Sequence, residues 1–160
     1  MMWKDGMAVE FVVGDYEEKD FDDLREMMFC LYEEDPEGLP ASILKIENTI
    51  AESLAHPEKT RISMIRVDGS NIGYGVIIFS WSNEYGGDVI GIDELYIKKG
   101  YRNKGVASDF VRRQMSSYPG KNIAAINAET TASNKTAEKF YQRLGFERSP
   151  NTHWVKNNNY

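Results

Sequence analysis

A strand-to-helix junction rich in glycine and basic residues carries the clearest chemical signal in the sequence. It reads Lys98-Lys99-Gly100-Tyr101-Arg102-Asn103-Lys104-Gly105-Val106-Ala107 and follows an apolar segment over 89–97. A glycine where a helix begins lets a ligand approach backbone N–H groups that have no partner within the helix. With the helix dipole, those groups form an anion site suited to phosphate. Because neither a Walker P-loop nor Gly-x-Gly-x-x-Gly is present, an ordinary helix start with solvated charges is the alternative.

Charge is distributed unevenly along the chain, whose formal net charge is −6. Residues 15–37 contain eleven acidic side chains against Lys19 and Arg25, whereas residues 98–113 contain six basic ones against Asp109. The acidic balance argues against general nucleic-acid binding, which needs a basic face. A local basic patch in an acidic protein suits one small polyanionic ligand, with a cationic partner elsewhere.

Few side chains are available for metal or disulfide chemistry. Cys30 is the only cysteine and lies in an apolar run, so it is interpreted as a buried filler, and no disulfide framework is possible. His56 and His153 are too few and too distant in sequence to indicate a zinc site, so we expect no metal. No apolar run approaches the ~18 residues of a membrane span, and we expect a cytoplasmic protein with no membrane partner.

Strands and helices must alternate to position the glycine-rich junction. At 160 residues we expect a single domain over 1–160. Hydrophobic periodicity and turn signals predict the order βααβββαβαββ, a mixed sheet with helices on both faces. The predicted strands are 8–13, 60–67, 72–81, 89–97, 123–128 and a closing hairpin over 146–148 and 153–156; the predicted helices are 20–32, 41–55, 105–117 and 134–144.

Two segments together resemble the signature motifs of the GNAT superfamily of N-acetyltransferases. Arg102-Asn103-Lys104-Gly105-Val106-Ala107 is similar to that family's Arg/Gln-x-x-Gly-x-Gly/Ala loop. The segment from Asn134 to Phe146 is similar to its second motif, Asn-x-x-Ala-x-x-x-Tyr-x-x-x-Gly-Phe. The resemblance covers about residues 72–148 and implies an α/β (α+β) fold, with a central, mixed, splayed sheet of six to seven strands and about four helices.

The resemblance also implies that acetyl-coenzyme A (acetyl-CoA) is the co-substrate. Its pyrophosphate would lie on the glycine loop, and its pantetheine arm would pair with the backbone of the strand before it. Asn134 would contact coenzyme A or cap its own helix, and the two roles are compatible. The implied coenzyme residues are Leu95, Tyr96, Ile97, Arg102, Asn103, Lys104, Gly105, Val106, Ala107, Ser108, Asn134, Ala137 and Tyr141.

Acetyl transfer to an amine requires a base for the amine and an acid for the departing sulfur. By resemblance Tyr141 is the acid, although its apolar helical stripe alone favours packing. Three carboxylates are alternative bases. Asp93 matches the strand position where polyamine and aminoglycoside acetyltransferases typically carry Glu, Glu129 matches the base of ribosomal-protein acetyltransferases, and Glu94 would serve if a bulge reverses the strand. Catalysis through water alone remains a further alternative.

The acceptor side in this family is built largely by the first two helices and the loop between them. In this chain that stretch carries Glu33, Glu34 and Glu37, and aromatic residues expected nearby could stack on a cation: Tyr32, Trp81 and Tyr85. They predict a small polycationic amine, attacked directly in a ternary complex. A lysine-bearing or N-terminal protein acceptor is the alternative enzyme, and a non-catalytic coenzyme A module is the alternative outside enzymes. A homodimer is compatible with the sequence.

Overall fold

The computed structural model describes residues 2–4, 7–36, 40–114, 116, 118 and 122–157, with the backbone alone for 2–4 and 7–9. Seven strands and four helices follow one another in this part of the chain. The strands are β1 (Met2–Lys4), β2 (Met7–Val9), β3 (Val12–Asp15), β4 (Thr60–Val67), β5 (Ser70–Ser82), β6 (Gly87–Ile97) and β7 (Ile123–Ala128). The helices are α1 (Phe21–Glu34), α2 (Ile43–Ala55), α3 (Val106–Gln114) and α4 (Lys135–Arg143).

Five strands form the central sheet, in the order β3-β4-β5-β6-β7, while β1 and β2 pair separately. All neighbours in the sheet are antiparallel except β6 and β7, which are parallel. Asp68 and Gly69 make the tight β4–β5 turn with φ values of 50° and 78°, as the Asp-Gly signal predicts. The mixed α/β fold is therefore confirmed, with fewer strands in the sheet than the six to seven expected.

The predicted closing hairpin is wrong, because residues 146–148 and 153–156 form no strand. After Gly145, the Phe146 N–H donates to the Tyr141 carbonyl at 3.1 Å, which turns the chain back onto α4. The described residues that follow are all exposed, so they lack the alternating burial that holds a strand on a sheet. The predicted strand over 8–13 is also wrong, since the chain divides there into β2 and β3, which lie in different sheets.

Two apolar clusters cover the two faces of the sheet. On one face, α1 and α2 pack Leu24 and Ile46 against Met64 and Tyr74. On the other, Phe110 of α3 packs against strand residues, and the partly buried Phe140, Tyr141 and Leu144 of α4 join the same cluster. The helices therefore lie on both faces, as their apolar stripes predict.

The sheet opens between β6 and β7. Their pairing runs from Asp88–Ile123 to Ile92–Ala128 and stops there, although β6 continues to Ile97. On its other edge, β6 pairs with β5 through a bulge: Val76 opposes Glu94 while Ile77 opposes Ile92, which leaves Asp93 as the extra residue. The opening and the bulge lie at the same level of the sheet and together form a cleft.

Candidate active site

Two adjoining cavities occupy the cleft between β6 and β7. The carboxylate cavity, about 360 Å³, is named for its acidic lining residues Asp35, Asp93, Glu94 and Glu129. The loop cavity, about 420 Å³, is lined by the start of α3 and the segment before it. Leu31, Asp35, Leu95, Asn134, Ala137 and Tyr141 line both. A ligand that fills both cavities therefore passes along the wall formed by α4.

The loop cavity contains an open helix N-terminus. The Gly105 carbonyl accepts a hydrogen bond from the Asp109 N–H at 2.9 Å, so the N–H groups of Val106, Ala107 and Ser108 precede the first intrahelical donor. Gly105 has φ +81°, and a Cβ placed there would meet no atom within 4 Å. Backbone donors in open space, at the positive end of a helix dipole, suit a phosphate group.

Arg102, the predicted phosphate ligand, is engaged with Glu34. Its Nη1 and Nη2 lie 2.8 and 3.0 Å from the two carboxylate oxygens, and its Nε donates to the Ile97 carbonyl at 2.7 Å. The hydrogen bond from Arg102 lowers the pKa of Glu34. The structure therefore brings Glu34 to the loop cavity rather than to the carboxylate cavity.

The remaining predicted coenzyme residues divide into two groups. Leu95, Tyr96, Ile97 and Asn103 line the loop cavity together with the start of α3. Lys104 does not line it, because its Nζ donates to the Gly100 carbonyl at 2.9 Å on the protein surface. Arg143, which the motif comparison missed, does line it. Arg143 follows Thr136 by seven residues on α4, so the two lie on the same face of the helix, and this spacing could have indicated that Arg143 lines the cavity.

Tyr141 lies in the wall common to both cavities. Its ring packs against Phe140 and Phe146, with centroids 5.0 and 5.1 Å away. Burial raises its pKa to about 12. Within the described part of the chain no group is hydrogen-bonded to its hydroxyl, so the proton is available to a molecule in the cleft.

Glu94 is the most firmly held carboxylate of the cleft. The hydroxyls of Tyr32 and Tyr74 donate to its two oxygens at 2.8 Å each. Burial raises the pKa of Glu94, and the two phenol hydrogen bonds oppose that rise. The sequence makes Glu94 a candidate base only if the strand contains a bulge, and a bulge is present at Asp93. The side chains of Asp93 and Glu94 both line the carboxylate cavity.

Asp93 and Glu129 lie at the mouth of the carboxylate cavity, where both are exposed. Desolvation by the surrounding protein atoms raises the pKa of Asp93, and the negative charge of Glu129 raises it further. Glu129 is also paired with His153, whose Nδ1 lies 2.9 Å from Oε1. Among the described lining residues of this cavity there is no Lys, Arg or His, and of its four carboxylates only Glu129 has a basic partner, His153.

Asp35 lies in the acidic stretch expected on the acceptor side, but the sequence does not distinguish it from its neighbours as a site residue. Its oxygens accept hydrogen bonds from Thr131 Oγ1 at 2.6 Å and Asn134 Nδ2 at 2.8 Å. The Asn134 Oδ1 in turn accepts from the Ala137 N–H at 2.9 Å, which makes Asn134 the cap of α4. In the sequence, Asp35-Pro36 indicates only the end of a helix.

Several predicted acceptor residues do not reach the cleft. Trp81 and Tyr85 are 65% and 58% exposed at the β5–β6 turn, the opposite end of that hairpin from Glu94, and line neither cavity. Glu33 is exposed on α1 and lines neither cavity, and Glu37 lies outside the described residues. The cleft takes its negative charge instead from Asp35 and the carboxylates at the ends of β6 and β7.

None of the helices in the described part of the chain is both long and apolar enough to cross a membrane. No group of three or more His, Cys, Asp or Glu side chains among the described residues is arranged to hold a metal ion.

Comparisons with solved structures show the same fold. A possible acetyltransferase from Clostridium difficile 630 aligns with TM-score 0.79 and 16% identity over 94% of this chain and 99% of its own. The aminoglycoside N-acetyltransferase AAC(6')-Iy, in complex with CoA, aligns with TM-score 0.73 and 15% identity over 94% of this chain and 97% of its own. A ribosomal-protein-alanine N-acetyltransferase from Brucella melitensis biovar Abortus 2308 aligns with TM-score 0.73 and 12% identity, over 91% and 98%.

Sequence comparison supplies the family. No curated protein sequence matches this chain at a significant level. The family model described as "Acetyltransferase (GNAT) family" matches residues 14–146, which include four of the five strands of the central sheet entirely, the lining of both cavities and both motifs. Members of this family use acetyl-CoA. The chain belongs to the GNAT acetyltransferase family and is an N-acetyltransferase.

Proposed function

We propose that the protein transfers the acetyl group of acetyl-CoA to a primary amine of a small polycationic acceptor, polyamine-like or aminoglycoside-like, in a ternary complex. One observation carries this proposal. Four carboxylates without a basic lining residue adjoin an open helix N-terminus, and Tyr141 lies in the wall between the two cavities. Such a cavity attracts and orients a cation beside an anion site.

The loop cavity fits coenzyme A. The N–H groups of Val106, Ala107 and Ser108 would hold a phosphate, and the edge of β6 over Leu95 and Ile97, beyond its pairing with β7, would receive an extended amide-containing arm. When bound, acetyl-CoA supplies an activated acetyl group as a thioester. For the Arg102 guanidinium to reach a phosphate, its ion pair with Glu34 must first open.

Asp93 is the base that we favour. An alkylamine has a pKa near 10 and therefore enters the cleft as an ammonium, attracted by the carboxylates. The ammonium first loses one proton to water, because only the neutral amine has the lone pair that attacks the thioester carbonyl. Once the C–N bond has formed, the nitrogen is strongly acidic, and Asp93 accepts its next proton directly or through a water. The raised pKa of Asp93 and its position at the cavity mouth suit that role. Glu94, tied to two tyrosines, serves as a fixed negative charge.

Tyr141 donates the proton that the departing sulfur takes up. Because its pKa is raised to about 12, its hydroxyl remains protonated at neutral pH. The alternative enzyme is a protein acetyltransferase that modifies a lysine or an N-terminal amine. The exposure of Asp93 and Glu129 at the cavity mouth favours that alternative, since an open acidic groove accepts a chain segment. A non-catalytic coenzyme A module would need neither Tyr141 nor a base.

An amine panel tests the proposal. The purified protein is mixed with acetyl-CoA and, in separate reactions, spermidine, an aminoglycoside, a lysine-containing peptide and a peptide with a free N-terminus, while free thiol is measured. Gly105→Glu, which places a side chain in the loop cavity, is the control for activity at this site. Turnover of the small polycations over the peptides supports the proposal, and the reverse preference identifies the protein acetyltransferase. If thiol release with every amine stays at the level of the reaction without protein, the catalytic assignment is overturned.

A further inference from the structure

Asp35 connects two helices that pack on opposite faces of the sheet. Its backbone N–H donates to the Leu31 carbonyl at 3.0 Å, so it belongs to the end of α1. Its side chain is bonded to Thr131 and Asn134, which lie before and at the start of α4. Elements on opposite faces of a sheet meet only where the sheet is open, and here they meet across the gap between β6 and β7.

The connection continues into α4 through Asn134. A carboxylate can only accept hydrogen bonds, so Asp35 requires the NH2 end of the Asn134 amide to face it. The Oδ1 end then faces α4, where it accepts from the Ala137 N–H at 2.9 Å. Tyr141 follows Ala137 by four residues, and residues four apart in a helix lie on one face. The orientation of one amide therefore links Asp35 to the first turn of α4, the helix that carries Tyr141.

No Lys, Arg or His of the described chain pairs with Asp35, whose two hydrogen-bond donors are neutral. We infer that Asp35 is a positioning residue, which fixes the start of α4, and with it Tyr141, against α1 by a hydrogen bond to Asn134. The expected effect of Asp35 on the acetylation rate rests on the function proposed above, whereas its expected effect on the start of α4 does not. The competing role is direct attraction of the acceptor ammonium, which would depend on the charge of Asp35 rather than on its hydrogen bonds.

Two substitutions separate these roles. Asp35→Ala removes both acceptor oxygens. Asp35→Asn removes the charge but keeps an oxygen for the Asn134 NH2, and its own NH2 can donate to the Thr131 hydroxyl. The first measurement is hydrogen exchange of the Ala137 amide by NMR, with Glu26→Ala as a control that removes an exposed carboxylate from the same helix. We expect exchange at least tenfold faster in Asp35→Ala, and exchange within about threefold of the parent in Asp35→Asn and Glu26→Ala.

The second measurement is the single-turnover acetylation rate with and without Tyr141→Phe. We expect Asp35→Ala to lower the rate at least tenfold. We also expect Tyr141→Phe to lower the rate less in the Asp35→Ala background than in the parent, because a hydroxyl that is already misplaced contributes less to the rate. Asp35→Asn keeps the hydrogen bonds, so the loss of rate caused by Tyr141→Phe should stay within about threefold of that in the parent, whatever the acceptor KM becomes when one of the four carboxylates loses its charge. Loss of rate or a raised acceptor KM in both variants, with parental Ala137 exchange, would overturn the inference in favour of a charge role.

A second pair of variants covers the case in which Asp35→Ala does not fold. Asn134→Asp still caps Ala137 but sets two carboxylates face to face, so we expect faster Ala137 exchange. Asp35→Asn combined with Asn134→Asp restores a donor–acceptor pair at the parental net charge and should restore the exchange rate. Parental exchange in Asn134→Asp, or no recovery in the double variant, would refute the inference. If the parent acetylates no amine, the proposed function fails while Ala137 exchange still decides this inference.

Discussion

Tyr141→Phe is the substitution that most directly tests the chemistry of the cleft. It removes one hydroxyl from the wall between the two cavities and leaves the ring that packs against Phe140 and Phe146. Because no described protein group is hydrogen-bonded to that hydroxyl, no buried partner loses its hydrogen bond. We therefore expect the free energy of unfolding to change by no more than about 0.5 kcal/mol, as for substitutions that disturb no packing or hydrogen bond.

The effect on rate should be much larger than the effect on stability. A positioned acid contributes about 10²–10⁴ in rate, which corresponds to about 2.7–5.4 kcal/mol. The raised pKa, about 12, keeps Tyr141 protonated across the usual assay range, so its contribution should not vanish on the alkaline side of neutral pH. We expect the single-turnover rate to fall at least tenfold, with coenzyme A affinity within a few-fold of the parent.

The assay compares thiol release in single turnovers with the best acceptor, with coenzyme A binding by calorimetry. Tyr118→Phe is the matched control, since it removes a phenol hydroxyl that is bonded to Gln114 outside both cavities. That variant should retain the parental rate. A folded Tyr141→Phe protein with the parental single-turnover rate would show that Tyr141 only packs and that the acid is water or another group.

Three further changes test the other groups of the cleft. Gly105→Glu should weaken coenzyme A binding at least tenfold by calorimetry, about 1.4 kcal/mol, because a carboxylate would occupy the proposed phosphate position; unchanged affinity in a folded variant would remove the phosphate assignment. Glu34→Gln should strengthen that binding, since it frees Arg102 from a bidentate ion pair, and weaker binding would instead make Glu34 a support for Arg102. With Asp93 as the base, kcat/KM of the parent should rise with pH as Asp93 loses its proton, and Asp93→Asn should abolish that acid limb of the profile. Since the pKa of Asp93 is raised in the fold, the stability linked to it is present at low pH and lost as the pH rises through that pKa, so the same variant should have a higher Tm at neutral pH. A lower Tm would contradict the raised pKa. Finally, the acceptor KM should increase as salt rises towards 0.15 M, where surface charges are screened over about 8 Å, and a KM independent of salt would argue for an uncharged acceptor.

Much of the fold could be predicted because its signals are local. β4 and β7 have the predicted bounds, and α2 ends before Pro57 as its apolar stripe and the proline indicate. The glycine-rich junction also lies where the sequence places it, since a glycine with φ +81° and the start of α3 depend on a few consecutive residues. The order of strands and helices from α1 to α4 follows from periodicity and turn signals, which are also properties of short segments.

The cleft could be predicted only in part, because its decisive contacts join distant residues. Glu34 and Arg102 are 68 positions apart in sequence, and Asp35 and Asn134 are 99 apart. No local pattern distinguishes a carboxylate that pairs with Arg102 from one that faces an acceptor, and this is why Glu34 was expected on the acceptor side. Trp81 and Tyr85 were expected there from their types alone, while the length of the β5–β6 hairpin carries them away from the cleft.

The sequence by itself determined the strands and helices from α1 to α4, where the anion-binding helix begins and which family the motifs resemble, since each depends on the identity of neighbouring residues. The tertiary structure decided the rest. The bulge at Asp93 exists only in the register of β6 against β5, and it turns both Asp93 and Glu94 to the carboxylate cavity. The closing hairpin does not form because the backbone of Phe146 is hydrogen-bonded to Tyr141 of α4 and the described residues after it are exposed. Register, ion pairing and packing depend on which distant surfaces meet, and that information lies in the folded chain.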